Sequence, residues 1–229
     1  MSRPRVALLN AAHDPADTTR NFRRELDAEL VEFHVTDSDL PADHDFEGVV
    51  VTGSRSSVYW DEDWIDPLVA YVAGCHEAGV PVLGVCFGHQ VVAAALGGDV
   101  DSMGEYEIGY RDVEQVADDP LFDGVDETFT AFTTHSDAVT ELPRGAELLA
   151  ENDYGVHAFR VGQSVGVQFH PEYDPETAES VTKRKNDLAP DRKEAVLEGI
   201  TPENYSAACE AKQLFENFTQ SLVEPKAAD

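Results

Sequence analysis

Two periodicities alternate along the first hundred residues. Short runs of consecutive or alternating apolar positions, "RVALLNA" (5–11), "LVEFHVT" (30–36), "FEGVVVTGS" (46–54) and "VPVLGV" (80–85), have the form of strands. Between them lie segments with apolar residues at helical spacing. These are "RNFRRELDAEL", with Asp17-Thr18-Thr19 as its expected cap, "WIDPLVAYVAGCHEAG" (64–79), closing on Gly79, and "HQVVAAALGG" (89–98), stopped by two glycines. Strand and helix succeed each other four times, which predicts an α/β fold with an open, mostly parallel sheet and helices on both faces. Sites in such sheets lie beyond the carboxyl ends of the strands, where the loops "TGSRSS" and "CFGHQ" fall.

From about residue 104 the runs shorten to "EIGYRDVEQV", "TFTAFTTHSDAVTEL", "AELLAEN", "VHAFRVGQ" and "SVGVQFH", which predict a small antiparallel sheet. Helical segments in 175–222 and a frayed, polar tail follow. No repeat, low-complexity tract or linker divides the chain. The expectation is a single domain over 1–229, with a core at about 5–175 and a C-terminal helical extension at about 175–222.

Charge narrows the partners. Forty-five acidic against 16 basic residues give −29, a field that repels phosphate backbones and anionic lipid, so neither nucleic acid nor membrane is an expected partner. The acids are spread along the whole chain, as in proteins adapted to concentrated salt; a cation-binding surface is the rival explanation. Cys75, Cys86 and Cys209 form no CxxC pair and no zinc-spaced Cys/His cluster, so neither a disulfide framework nor a metal or other cofactor is expected. The N-terminus lacks the longer apolar core of a signal peptide, and no apolar stretch reaches a membrane span, which predicts a cytoplasmic protein.

The candidate chemistry centres on "GVCFGHQ" (84–90). A residue on a sharp strand-to-helix turn is lifted out of the sheet, and close packing there requires small neighbours; "GVCFG" is the thiol counterpart of the Gly-x-Ser-x-Gly elbow. Backbone N–H groups opening a helix near His89 favour the thiolate, and the N–H of Phe87 is placed to receive an oxyanion. The alternative is a small buried core cysteine. A nucleophilic thiol needs a base. His13, His34, His44, His76 and His157 sit in polar or helical contexts that suit solvated or capping roles. His170 ends "SVGVQFH" and is followed by Pro171-Glu172, and in an extended segment the carboxylate of Glu172 lies on the same side as the imidazole.

"GVCFGHQ" together with "GVQFHPE" resembles the class I glutamine amidotransferases, whose elbow reads G-x-C-x-G-x-Q and whose second motif reads F-H-P-E. "VVTGSRSSVY" and "THSDAVTELPRGAELLAENDYGVHAFRVG" extend the resemblance from about residue 5 to 175. It implies a flavodoxin-like sheet and a free-standing glutaminase most similar to the glutaminase parts of GMP synthases. In that reading Cys86 attacks the glutamine side-chain amide to form a γ-glutamyl thioester, with His170 as acid and base and Glu172 as its orienter. Oxyanion donors are the N–H of Phe87 and an N–H in the Gly53-Ser54 loop, and Gln90 with the backbone around Ser136 and Asp137 holds the head group. The chain departs from the family at Gly53-Ser54-Arg55, where nucleotide-synthesis members have Gly-Gly-Pro, and at His135-Ser136-Asp137, where His-Gly-Asp is common.

No GxxxxGK[ST] loop is present, so a separate synthetase subunit is the expected consumer of the ammonia. Two other readings stay open. One is a hydrolase, peptidase or transferase acting on another γ-glutamyl amide, with Arg55 pairing a substrate carboxylate; the other is a non-catalytic regulatory binding domain. The dispersed acidity generates its own test. If it is a salt adaptation, the midpoint of thermal unfolding should rise between about 0.1 M and about 3 M KCl, where screening shortens from ~10 Å to below 3 Å; an unchanged or falling midpoint would favour the cation-binding explanation.

Overall fold

In the computed structural model, residues 3–223 are described; the polar tail expected at the C-terminus lies, from residue 224 on, outside them. Nine strands form one sheet: β1 (Arg5–Asn10), β2 (Glu29–His34), β3 (Gly48–Val51), β4 (Val82–Val85), β5 (Asp99–Gln115), β6 (Thr128–Glu141), β7 (Glu147–Asn152), β8 (Gly155–Val161) and β9 (Ser164–Val167). Their order is β2-β1-β3-β4-β9-β8-β7-β5-β6. The ladders from β2 to β9 are parallel and those from β9 to β6 antiparallel. The expected antiparallel strands are thus not a second sheet; they continue the parallel one, because β9 pairs in register with β4 on one side and with β8 on the other.

Helices α1 (Pro15–Glu25), α2 (Ile65–Glu77) and α3 (Phe87–Ala95) follow β1, β3 and β4. Two of them start earlier than the sequence pattern implied. Helix α1 begins at Pro15 and not after Asp17-Thr18-Thr19, because a proline just inside a helix start gives up no hydrogen bond. Helix α3 begins at Phe87, immediately after Cys86, and not at His89.

Strand alternation divides the core. Val6 and Leu8 of β1 face the layer of α1 together with Val50, Leu83 and Val85, whereas Ala7 and Leu9 face α2 and α3 with Val49, Val51 and Val82. Four more helices follow among the described residues: α4 (Pro175–Arg184), α5 (Pro190–Glu198), α6 (Pro202–Ala208) and α7 (Gln213–Ser221). Leu214, Phe215 and Phe218 of α7 join the core on the α1 side, with the Phe22 and Phe215 rings edge-to-face at 5.8 Å. Ala178 of α4 and the partly buried Val196 of α5 pack with Ile108 and Phe132 of the β5–β6 ribbon. The C-terminal extension therefore supplies one outer layer of the sheet and a wall beside the strand ends. If α7 is part of the main core, Phe215→Ala should cost about 3–5 kcal/mol, read as a lower urea midpoint at unchanged slope; a loss below about 1 kcal/mol would make α7 a peripheral appendage.

Candidate active site

The elbow around Cys86 is built by backbone proximity. A Cβ on Gly84 would lie 2.2 Å from the Gly88 carbonyl oxygen, and one on Gly88 would lie 2.2 Å from that of Val51. Only glycine fits at either place, and the tight crossing of α3 over the strands forces Cys86 to φ +55°, an uncommon value for a residue with a side chain. The Cys86 N–H donates to the Val167 carbonyl at 2.8 Å, which fastens the end of β4 to the end of β9. Because α3 starts at Phe87, the N–H groups of its first turn have no acceptor within the helix and surround the cysteine.

The same strand pairing brings in His170. Val85 and Val167 are register partners, so Cys86, one residue past β4, and His170, three past β9, emerge side by side although far apart in the chain. The His170 N–H donates to the Phe132 carbonyl at 2.8 Å. Its Nδ1 lies 2.8 Å from Glu172 Oε1, which leaves Nε2 free to address Cys86, whose side chain acts on the ring. A Cβ placed on Gly53, just past β3, would sit 2.9 Å from His170 Cε1 and 3.7 Å from Cys86 Cβ, so the three strand ends meet at one point. Cys86, His170 and Glu172 are 5%, 4% and 2% exposed. Burial opposes charge on the imidazole, yet the Glu172 carboxylate and the Cys86 thiolate outweigh it and push His170 up to about 10.

Glu172 is anchored from outside. Arg24 of α1 donates to the Glu172 carbonyl at 2.6 Å and to the Asp174 carboxylate at 2.8 Å, while Asp174 caps α4 by accepting from the Thr177 N–H. Tyr173 stacks on the His170 ring, centroids 4.1 Å apart.

A cleft of ≈ 570 Å³ opens here, and all ten sequence candidates line it: Cys86, His170, Glu172, Phe87, Gly53, Ser54, Gln90, Ser136, Asp137 and Arg55. The two candidates with head-group side chains, Asp137 and Gln90, are already engaged with protein. The Asp137 carboxylate accepts from the Ser57 hydroxyl at 2.5 Å and from Tyr59 Oη at 2.9 Å, and the Gln90 amide donates to the Asp137 carbonyl and to Gln168, each at 3.2 Å.

Several side chains here escaped the sequence reading. Lys185 lines the cleft as the residue that ends α4. His157, assigned a solvated or capping role, is fully buried, with its Nε2 3.1 Å from Glu107 Oε2; His135 Nε2 is 2.6 Å from the same oxygen, and Asn152 donates to Oε1 at 2.7 Å. Burial opposes charge on Glu107, but these hydrogen bonds win and pull it down to about 2. The ligand atoms of Glu107, His135 and His157 lie within 4.8 Å of one another, a metal-type group where no metal was expected, and at present they bond one another. Since His135 Nδ1 also faces the Asp137 carbonyl at 2.9 Å, both of its nitrogens address acceptors, and the network holds the strand segment beside Cys86. In the aromatic loop after β3 Trp64 is buried, but Tyr59 and Trp60 are about half exposed.

The model of the glutamine amidotransferase class-I family matches residues 16–186. The chain belongs to that family. It is 36% identical over 137 residues to a GMP synthase (glutamine-hydrolysing) of an Azoarcus species, covering 55% of this chain and 25% of that one. It is 31% identical over 189 residues to γ-glutamyl peptidase 5 of Arabidopsis thaliana, covering 75% of each. The chain thus spans about a quarter of the length of that synthase and three quarters of the peptidase. The structure of a glutamine amidotransferase from Thermotoga maritima superposes with a TM-score of 0.80 at 22% identity, over 96% of this chain and 100% of that one, which is a likeness of fold. No helix among the described residues is long and apolar enough to cross a membrane.

In this amidotransferase-family chain, the charge of His170 sets a pH dependence. Its folded pKa is raised above the ordinary value near 6.5, so the stability its charge contributes is complete below that value and lost as pH rises through about 10. Glu172→Gln should lower the His170 pKa by about 1–3 units, read by NMR titration of the ring. A shift below about half a unit would show that Glu172 does not hold the charge.

Proposed function

We propose that the cleft hydrolyses the side-chain amide of glutamine through covalent catalysis at Cys86, and that the ammonia passes to a separate synthetase partner. The supporting observation is the convergence of an elbow cysteine, an imidazole held in the charged form and a buried carboxylate 2.8 Å from that imidazole. The Cys86 thiolate adds to the amide carbon, and the resulting oxyanion is received by the N–H of Phe87 and an N–H of the Gly53-Ser54 loop. His170, protonated at Nε2, gives its proton to the departing nitrogen as the C–N bond breaks, leaving a γ-glutamyl thioester and ammonia. Neutral His170 then takes a proton from water, whose oxygen attacks the thioester; glutamate leaves and the thiolate–imidazolium pair is restored. Glu172 keeps Nδ1 protonated and fixes the ring. Gln90 and the backbone of Ser136 and Asp137 line the head-group end, with the Asp137 side chain spent on Ser57 and Tyr59.

A second reading, hydrolysis of another γ-glutamyl amide, is favoured by one finding. The relative called a γ-glutamyl peptidase is matched over three quarters of its length, whereas the GMP synthase is matched over a quarter. Arg55 in the cleft is available to a carboxylate of such a substrate.

Ammonia release from glutamine should fall by at least about 10³-fold in kcat/KM for Cys86→Ala and for His170→Asn. Activity retained in Cys86→Ala would remove the covalent mechanism, and wild-type inertness would favour a binding domain. Faster turnover of γ-glutamyl dipeptides than of glutamine would select the second reading, whereas stimulation by a copurifying synthetase would select the first.

A further inference from the structure

Two cations that line the cleft make no ion pair with an acid among the described residues. Arg55 stands on the loop after β3, and Lys185 ends α4. In a chain with 45 acidic and 16 basic residues, unpaired cations are unexpected on composition alone. Most other charges that line the cleft have partners: Arg184 lies 3.8 Å from Asp14, Asp17 is 3.2 Å from Arg20, Asp137 accepts from two hydroxyls, and Glu172 holds His170, while Asp187 also lines the cleft outside any ion pair. Among the described residues neither Arg55 nor Lys185 has a carboxylate oxygen within 4.0 Å, and Asp187 reaches Lys185 only through longer-range attraction.

The surroundings of Lys185 are those of a cation waiting for an anion. Its Nζ lies 4.8 Å from the centre of the Tyr106 ring, which accepts the charge weakly while leaving the ammonium's hydrogen-bond donors unspent. Burial disfavours its charge, Cys86 favours it, the guanidinium of Arg55 repels it, and Asp137 and Asp187 attract it from beyond ion-pair distance; burial and Arg55 outweigh the rest. An anion bound between them would remove that repulsion and accept hydrogen bonds from both. The anion must also suit a cleft shared with Cys86, which lies near enough to act on the Lys185 charge. A carboxylate displaced along the substrate from the amide fulfils this.

We propose that Arg55 and Lys185 form a carboxylate subsite that recognises a substrate carboxylate remote from the amide broken at Cys86. This rests on the amide-hydrolysing reading of the cleft. The carboxylate has two sources: the α-carboxylate of the glutamyl unit, or that of an amino acid serving as the leaving group. Neither residue takes part in bond breaking. Their contribution is to KM and to the choice of substrate.

Steady-state kinetics with four probes separate the possibilities: L-glutamine, its α-carboxamide, γ-glutamylglycine and γ-glutamylmethylamide, against wild type, Lys185→Met, Lys185→Arg and Arg55→Met, each checked for an unchanged melting temperature. Lys185→Met and Arg55→Met should raise KM by roughly 10- to 100-fold for probes carrying the recognised carboxylate, with kcat nearly unchanged, and Lys185→Arg should restore most of the loss. An effect on glutamine and both dipeptide-like probes, absent for the α-carboxamide, assigns the α-carboxylate. An effect on γ-glutamylglycine alone assigns the leaving group. Equal KM changes for probes with and without a carboxylate, or no change, overturn the subsite while leaving the Cys86 chemistry standing. Wild-type inertness toward all four probes overturns both.

Discussion

The structure turns on how closely α3 approaches the sheet. Gly84 and Gly88 allow backbone to lie against backbone where a single methyl group would come within 2.2 Å of a carbonyl oxygen, and the chain between them has no room to take a relaxed turn. Cys86 therefore carries the strained φ of +55°, its N–H is held by Val167, and the free donors of the first turn of α3 surround it. Given that crossing, the strand order decides what comes near. With β4 flanked by β3 and β9, the chain after β3 delivers Gly53 and the chain after β9 delivers His170 to the same spot. A side chain at position 53 would occupy the space of the imidazole, so all three strand ends are fitted to one another.

A buried imidazolium would ordinarily lose its proton. Here it is kept because Glu172 and Cys86 lie on either side of the ring, and Glu172 is itself fixed by Arg24 pulling the following backbone toward α1. The charge pair at the strand ends is thus tied to the outer helix layer. Tyr173 covers one face of the ring and packs toward the β5–β6 ribbon, whose Phe132 carbonyl holds the His170 N–H. On the other side of the cleft the Glu107–His135–His157 network stiffens β6 where it carries Ser136 and Asp137. Buried, hydrogen-bonded charged groups of this kind hold geometry more than they add stability.

Much of this was legible in the sequence, for physical reasons. The elbow has a local signature, since a strand, a cysteine between glycines and a helix are contiguous. The His-Pro-Glu segment places acid and imidazole two residues apart on one side of an extended chain. What escaped depends on distant pairing. Nothing near Lys185 in the sequence reveals that α4 ends at the cleft, and nothing near Glu107 reveals that β6 and β8 bring His135 and His157 onto one of its oxygens. The antiparallel strands were recognisable as strands, but their continuity with the parallel half comes from the pairing of β9, whose run "SVGVQFH" marks a strand without showing which neighbours it takes. The early starts of α1 and α3 follow from a proline at a helix start and from the sharpness of the elbow, both of which override the simpler cap-and-period reading.

The central claim is that the sulfur at the elbow becomes covalently joined to the glutamyl carbon during turnover. Rapid acid quench during steady-state turnover of glutamine, followed by intact-protein and peptide mass spectrometry, tests it directly. The account predicts a glutamyl adduct on the peptide containing Cys86 that appears with substrate and vanishes once substrate is exhausted. Ammonia release with no adduct on that peptide, even when hydrolysis is slowed by cold quench and low pH, would contradict it.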